Sequence, residues 1–162
     1  MNVLGLDLSL RSTGWAIAFL DKEGKIKIKR YGVIVPKDLK EVKRLSFIER
    51  ELWKIYLKYN PRVAYIEGYA YMQKRASLAF SIGELGGIAK RFLFEQGIKF
   101  KIIQPTTLKK EFVGYGRAEK ELMIKEAKRR TGLKLNKVTE GLRNNVADAI
   151  ALIYVGNNLF RS

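Results

Sequence analysis

The chain contains no cysteine and no histidine in its 162 residues. Without cysteine there is neither a disulfide framework nor a zinc thiolate site. Without histidine, imidazole general-base chemistry and the usual transition-metal sites drop out. What remains is carboxylates, amides, hydroxyls and basic side chains, a donor set suited to hard ions such as magnesium or manganese. No apolar run approaches the roughly 18 residues of a membrane span. No basic-then-apolar leader opens the sequence, so the expectation is a soluble, cytoplasmic protein. Acids are also scarce: 16 Asp and Glu stand against 32 Lys and Arg, a net charge of +16. The excess runs through the whole chain rather than a tail, which points to a polyanion, nucleic acid first, as partner. A basic solvated surface, as in ribosomal or heat-adapted proteins, is the alternative.

The length suits one domain, residues 1–162, burying about 70% of its unfolded surface. "NVLGLDLSL" at the start is apolar with Asp7 as its one charged intruder, the pattern of a buried strand. "GWAIAFL" and "KIKIKRYGVIV" follow as strands joined at "DKEG", where Gly24 tolerates positive φ. From Leu39 to Tyr59, Val42, Leu45, Ile48, Leu52, Ile55 and Leu57 recur near helical spacing, and "NPR" stops that helix before a short fourth strand, "VAYIE", ending at Glu67. A second long helix carries the small residues Ala79, Gly83, Gly86, Gly87 and Ala89 and stops at Gly97. "IKFKII" is a fifth strand, and Pro105 then opens a short helix. The Gly-rich "FVGYGR" leads to a helix over "AEKELMIKEAKRRTG", and "RNNVADAIALIYVGNNL" is the last. The expected fold is α/β, a mixed five-stranded sheet flanked by helices, with three antiparallel strands followed by parallel ones.

Three acids stand where apolar residues are expected. Asp7 lies inside a buried strand, where an isolated carboxylate costs several kcal/mol unless it is paired or metal-bound. Glu67 ends the fourth strand, and Asp148 sits between Ala147 and Ala149 on an apolar helix. Separately, Asp7 as a turn cap, Glu67 as a lysine partner and Asp148 as an exposed residue are ordinary readings; all three together are much less so. Acids converging on two divalent ions, one activating a water and the other steadying the leaving oxygen, are what phosphodiester hydrolysis needs.

In order along the chain, "GLDLSLRSTGWA", "YIEGYAY", "KRASLAFSIGELGGIAKRFL", "QPTTLKKEFVGYGRAEKELM" and "NVADAIAL" resemble the RuvC family of Holliday junction resolvases, within the RNase H-like superfamily. The first motif alone is shared with sugar kinases and actin-like ATPases; the series is what is specific. The resemblance implies an RNase H-like fold, Asp7, Glu67 and Asp148 as ligands to two magnesium or manganese ions, and a homodimer. It further implies symmetric cutting of two opposed strands of a four-way DNA junction, leaving 5′-phosphate and 3′-hydroxyl ends. Action in the cytoplasm follows, at a cell's own nucleoid or, for a virus-encoded enzyme, in its host. Where the family places a fourth acid or a His, three or four residues before the last Asp, this chain has Asn145 and Asn144. An amide oxygen binds magnesium but brings no charge, so the second ion is held less well. Three explanations stay open: a natural variant that uses the amide, a deliberate Asp-to-Asn exchange, or Glu140 as substitute.

Gly114 and Gly116 leave backbone amides open around Tyr115 at a helix start, a phosphate-binding arrangement, with Arg117 and Lys120 following. By resemblance, Lys109 and Lys120 face the scissile phosphate, where they stabilise developing charge or bind the backbone; a solvated helix face is the plain alternative. After Glu67, Tyr69 and Tyr71 beside Lys74 and Arg75 are suited to stacking on bases at an opened junction, or to core packing. Arg11, Ser12 and Thr13 either hold a backbone phosphate or form a turn with a surface arginine. The Gly and Ala stripe serves helix-to-sheet packing or the dimer. Besides a junction-cleaving nuclease, two readings remain: a junction-binding protein without catalysis, and an RNase H-like nuclease acting on RNA or hybrids. An actin-like ATPase needs a longer chain for its two lobes.

Overall fold

The structure, a computed structural model, describes residues 1–69 and 76–160. Strand β1 (Asn2–Asp7) pairs antiparallel with β2 (Thr13–Leu20), and β2 pairs antiparallel with β3 (Ile26–Ile34). On its other edge β1 takes β4 (Val63–Glu67), which takes β5 (Lys99–Ile103), both parallel, giving the order β3-β2-β1-β4-β5. Parallel neighbours need crossovers. Helix α1 (Glu41–Tyr59) leads into β4, and α2 (Ala76–Glu95) lies between β4 and β5. Three further helices, α3 (Pro105–Val113), α4 (Lys120–Thr131) and α5 (Arg143–Phe160), follow β5, with a 3₁₀ turn at Glu140–Leu142 before the last. This is the mixed α/β sheet that the sequence pattern predicts. Among the described residues no helix is long and apolar enough to cross a membrane.

Side chains alternate across a strand, so each strand feeds two cores. Leu4, Leu6, Ile17, Ala64 and Ile66 pack against α1 and α2, while Val3, Ala16, Ala18 and Tyr65 pack against α3, α4 and α5. On α1 the inward stripe is Ile48, Leu52 and Ile55. Val42 and Leu57, read with that stripe from the sequence, point to solvent instead. Leu57 is two positions from Ile55, about 200° round the helix.

The small-residue stripe of α2 divides in the same way. Gly86 and Ala89 are buried, and the Tyr69 hydroxyl fills the space a side chain at Gly86 would need. Ala79, Gly83 and Gly87 face outward, and a methyl group at Gly83 or Gly87 would meet open space.

Helix α5 lies unusually close to the sheet, and glycine is the reason. A side chain at Gly5 would overlap the Ala149 carbonyl, one at Gly14 the Asn145 carbonyl, and one at Gly156 the Tyr65 ring. The helix is therefore seated on β1, β2 and β4 at three points. Arg130 ties α4 into the same layer: it pairs with Glu126 at 2.7 Å, donates to the Phe112 carbonyl at 2.9 Å, and covers the Phe112 and Tyr154 rings.

These contacts separate the glycines by cost. Gly5→Val is expected to lose about 3 kcal/mol, the upper end of overpacking, because backbone rather than a flexible side chain stands in the way. Gly83→Ala should instead gain up to about 1 kcal/mol from helix propensity. Urea midpoints of the two variants against the parent check both signs.

Candidate active site and nucleic-acid interface

Val3, Gly5 and Asp7 share the α5 face of β1, as Val63, Tyr65 and Glu67 share that face of β4. Leu6 pairs with Ile66, so one step further places Asp7 and Glu67 side by side at the carboxyl ends of neighbouring parallel strands. The other neighbour of Asp7 is Gly14, and over Gly14 lies Asn145. Asp148 comes three residues after Asn145 and one before Ala149, whose carbonyl rests on Gly5. The glycine contacts thus aim Asp148 at the strand acids.

The three carboxylates interact electrostatically. Asp7 is 7% exposed and is hydrogen-bonded to Glu67. Burial, then the charge of Glu67 and the bond to it, raise Asp7 well above the ordinary carboxylate range, with Asn145 working weakly against them. Burial also raises Glu67, which the bond to Asp7 and the charge of Lys109 lower and the charge of Asp148 raises. A bond between two carboxyl groups needs a proton, which the pair shares. Asp148 is pushed up to about 7, by burial first and then by Asp7, while Lys109 and Lys120 pull it down. Its Oδ1 is buried with no hydrogen-bond partner among the described residues.

Among the described residues no three such side chains are drawn tightly enough to cage an ion as they stand. The donor set nevertheless suits a hard divalent cation: carboxylates carried by two strands and a helix, an orphaned buried oxygen, and amides alongside.

Asn145 is buried and fully engaged. Its Nδ2 donates to the Ser12 carbonyl at 2.9 Å and to Asp7 Oδ2 at 3.4 Å, and its Oδ1 accepts from Ser12 Oγ at 3.4 Å. A carbonyl only accepts, so this contact fixes which end of the amide faces Ser12. Asn144 is half-buried next to it, and Glu140 is exposed in the 3₁₀ turn.

Lys109 and Lys120 both reach the acids with their fields, Lys109 acting on two of them. Lys120 is the first residue of α4, and the loop before it exposes Tyr115 and Arg117 beyond Gly114, whose φ of 84° ends α3. The β1–β2 loop is tied by Thr13 Oγ1, which donates to the Ser9 carbonyl at 2.8 Å and accepts from its N–H at 3.1 Å, leaving Arg11 exposed. Tyr69 is 43% exposed, with its hydroxyl end seated on α2. Tyr71, Lys74 and Arg75 lie outside the described residues. Sequence reasoning passed over Gln104, whose side chain packs on Gly68 directly after Glu67. Its signal was a polar residue between a strand end and Pro105.

Comparison with known proteins fits this geometry. The family described as crossover junction endodeoxyribonuclease RuvC matches residues 3–155. The chain belongs to the RuvC family. The curated crossover junction endodeoxyribonuclease RuvC of Rickettsia bellii (strain OSU 85-389) is 31% identical over 155 residues, covering 95% of each chain. That of Rickettsia typhi is 32% identical over 158 residues, again 95% of each. Among solved structures, T. thermophilus RuvC in complex with Holliday junction substrate matches with a TM-score of 0.79 at 21% identity, over 96% of this chain and 92% of that one. The fowlpox virus Holliday junction resolvase matches at 0.65 and 16% identity, over 98% of each. At these identities the structures establish a shared RuvC and RNase H-like fold.

The raised acids carry a pH signature. A carboxylate whose folded pKa exceeds its unfolded value withdraws stability as pH rises between the two, here from about 4 to about 7 for Asp148. Metal-free protein should therefore lose stability across that window, and Asp148→Asn should flatten the loss. Magnesium or manganese should raise the melting temperature at pH 8 far more than at pH 5. Thermal melts over pH 4 to 8, with and without the ion, give the slope.

Proposed function

We propose that this chain is a metal-dependent, structure-selective endodeoxyribonuclease. It resolves four-way DNA junctions by paired symmetric nicks that leave 5′-phosphate and 3′-hydroxyl ends, with residues 1–162 as one nuclease domain. The observation that carries this reading is three acids from β1, β4 and α5, Asp7 buried and Glu67 and Asp148 half-buried, that act on one another and feel the charges of Lys109 and Lys120, in a chain of net charge +16. Its relatives' names, and solved junction complexes of the same fold, support branched DNA as substrate.

Asp7, Glu67 and Asp148 would hold magnesium or manganese, two ions when the site is filled, with Asn144 and Asn145 as the neutral neighbours. When bound, the ions supply the charge that activates water and steadies the leaving oxygen. The chain's own part is positioning. Lys109 and Lys120 set a positive field at the scissile phosphate. Tyr115 and Arg117 hold the strand at the start of α4, and Arg11 and Ser12 hold it at the β1–β2 loop. Tyr69, Tyr71, Lys74 and Arg75, which come after Glu67 in the sequence, would contact the bases and backbone at the junction centre.

Symmetric cutting calls for a homodimer, and α2 offers a face for it. Phe80, Gly83, Gly87 and Phe94 fall within one arc of the helix, and the two phenylalanines are 76% and 79% exposed. Phe80→Glu with Phe94→Glu is expected to convert dimer to monomer in sedimentation and to uncouple the paired nicks while single nicks persist.

One observation favours a second reading, a junction-binding protein without catalysis: Asn145 is neutral, and its amide is committed to Ser12. Cleavage of a synthetic four-way junction in magnesium or manganese decides between them. On the nuclease reading the parent cuts in symmetric pairs, Asp7→Asn abolishes cutting but leaves binding, and Lys120→Ala lowers the rate about 10²-fold or more. Binding without cleavage, with cutting gained in Asn145→Asp or Asn144→Asp, establishes the binding reading instead. Structured RNA or hybrid duplexes cut far better than junctions would overturn both.

A further inference from the structure

A cleft of about 250 Å³ opens beside the β1–β2 loop, between that loop and the connection from β3 to α1. Its walls carry Arg11, Lys37, Lys40 and Arg44, with Asp38 as the lone acid, over a buried floor of Leu10 and Pro36. Four cations against one acid would repel one another unless solvent or an anion screens them. Among the described residues none of the four makes a salt bridge, whereas Lys54, Arg91, Arg129 and Arg130 do. Arg44 is anchored in place, its Nε donating to the Leu39 carbonyl at 2.9 Å. The adjoining hollow, lined by residues 38–43, continues the surface past Lys40 to Lys43, where α1 begins with no side chain capping its first amides.

We propose that this cleft is a second DNA-backbone site, which seats the sugar-phosphate of a junction arm next to the strand being cut. Lys37, Lys40 and Arg44 supply the added contacts to Arg11. The inference rests on the junction-DNA reading above and adds to it a surface outside the acid centre. Arg11 follows Asp7 by four residues, so their Cα atoms are at most about 15 Å apart. That span is about four nucleotides at roughly 3.4 Å of rise each. Flexible lysines beside an apolar floor read phosphate charge without reading bases, as a site for an arm of any sequence requires. A small anion such as inorganic phosphate would need a closed, directional cradle, and this cleft is a trough continuous with the next hollow.

The test is binding of a labelled, immobile four-way junction across a series of salt concentrations, without divalent ion. Three proteins are compared: the parent, Lys37→Ala with Lys40→Ala, and Lys22→Ala with Lys25→Ala. The last pair lies at the β2–β3 turn, at the opposite end of the sheet from Asp7, and removes the same charge. The cleft pair is expected to weaken binding about tenfold at 0.1 M salt and to lower the log–log salt slope by about two, one for each lost phosphate contact. The control pair should change affinity less than about twofold. Equal weakening by the two pairs, or none by the cleft pair while the parent binds, overturns the site and leaves the junction reading intact. A parent that fails to bind the junction at all overturns both.

Discussion

The seating of α5 on β1 and β2 is the constraint from which the rest of the site follows. Backbone meets backbone at Gly5 and Gly14, so the helix sits lower than side chains would permit. Asn145 and Asp148, three residues apart, flank that contact, and at this depth they come within reach of Asp7 and Glu67. A helix held away by even one methyl layer would leave Asp148 pointing over the sheet edge. The acids are therefore positioned by two residues with no side chain, and the close packing that buries them also raises their proton affinity.

Burial and mutual repulsion make the metal-free site costly in a protein whose net charge would otherwise favour any carboxylate. The basic excess is spread along the chain, and among the described residues Lys109 and Lys120 act on the acids directly. Water screens the other cations from this pocket. Asp7 and Glu67 meet the cost with a shared proton, and Asp148 is left with an oxygen unpartnered among the described residues. A divalent ion would relieve both at once, since it replaces the proton and supplies the missing partner. The same groups that weaken the empty fold are thus the ones that would give it affinity for metal.

Much of this was legible in the sequence because strands and helices leave periodic traces. The five strands, the five helices and the three acids follow from alternation, from helical spacing and from charges inside apolar runs. The stretch before Asp148 also announced its departure from an acid. Other features left no such trace. Val42 and Leu57 looked like core, since hydrophobicity alone does not report which side of a helix the sheet lies on. The stripe on α2 looked uniform, yet Gly86 receives Tyr69 while Gly83 and Gly87 face open space, a difference set by a loop 15 or more residues earlier in the chain. Gln104 carries no charge and no periodicity, and only the pairing of Glu67 with Ile103 brings it beside Gly68. The cleft at Lys37 and Lys40 was hidden for a similar reason: Arg11 reaches it from the β1–β2 loop, far from the other three cations in sequence.

Asn145 shows how an amide suits this position physically even though it brings no charge. The Ser12 carbonyl receives a donor from this amide, and Asp7, already raised by burial and by Glu67, gains from a neighbour that adds no negative charge. An aspartate there would face the Ser12 carbonyl oxygen and the Asp7 carboxyl with another anion, and would have to take up a proton or shift until an ion arrived. The amide instead fastens the β1–β2 loop, which carries the exposed Arg11, to α5 in the absence of metal. What the site gives up in charge at residue 145 it gains in order before DNA and metal bind. That exchange leaves the wall beside the acids set by hydrogen bonds rather than by charge.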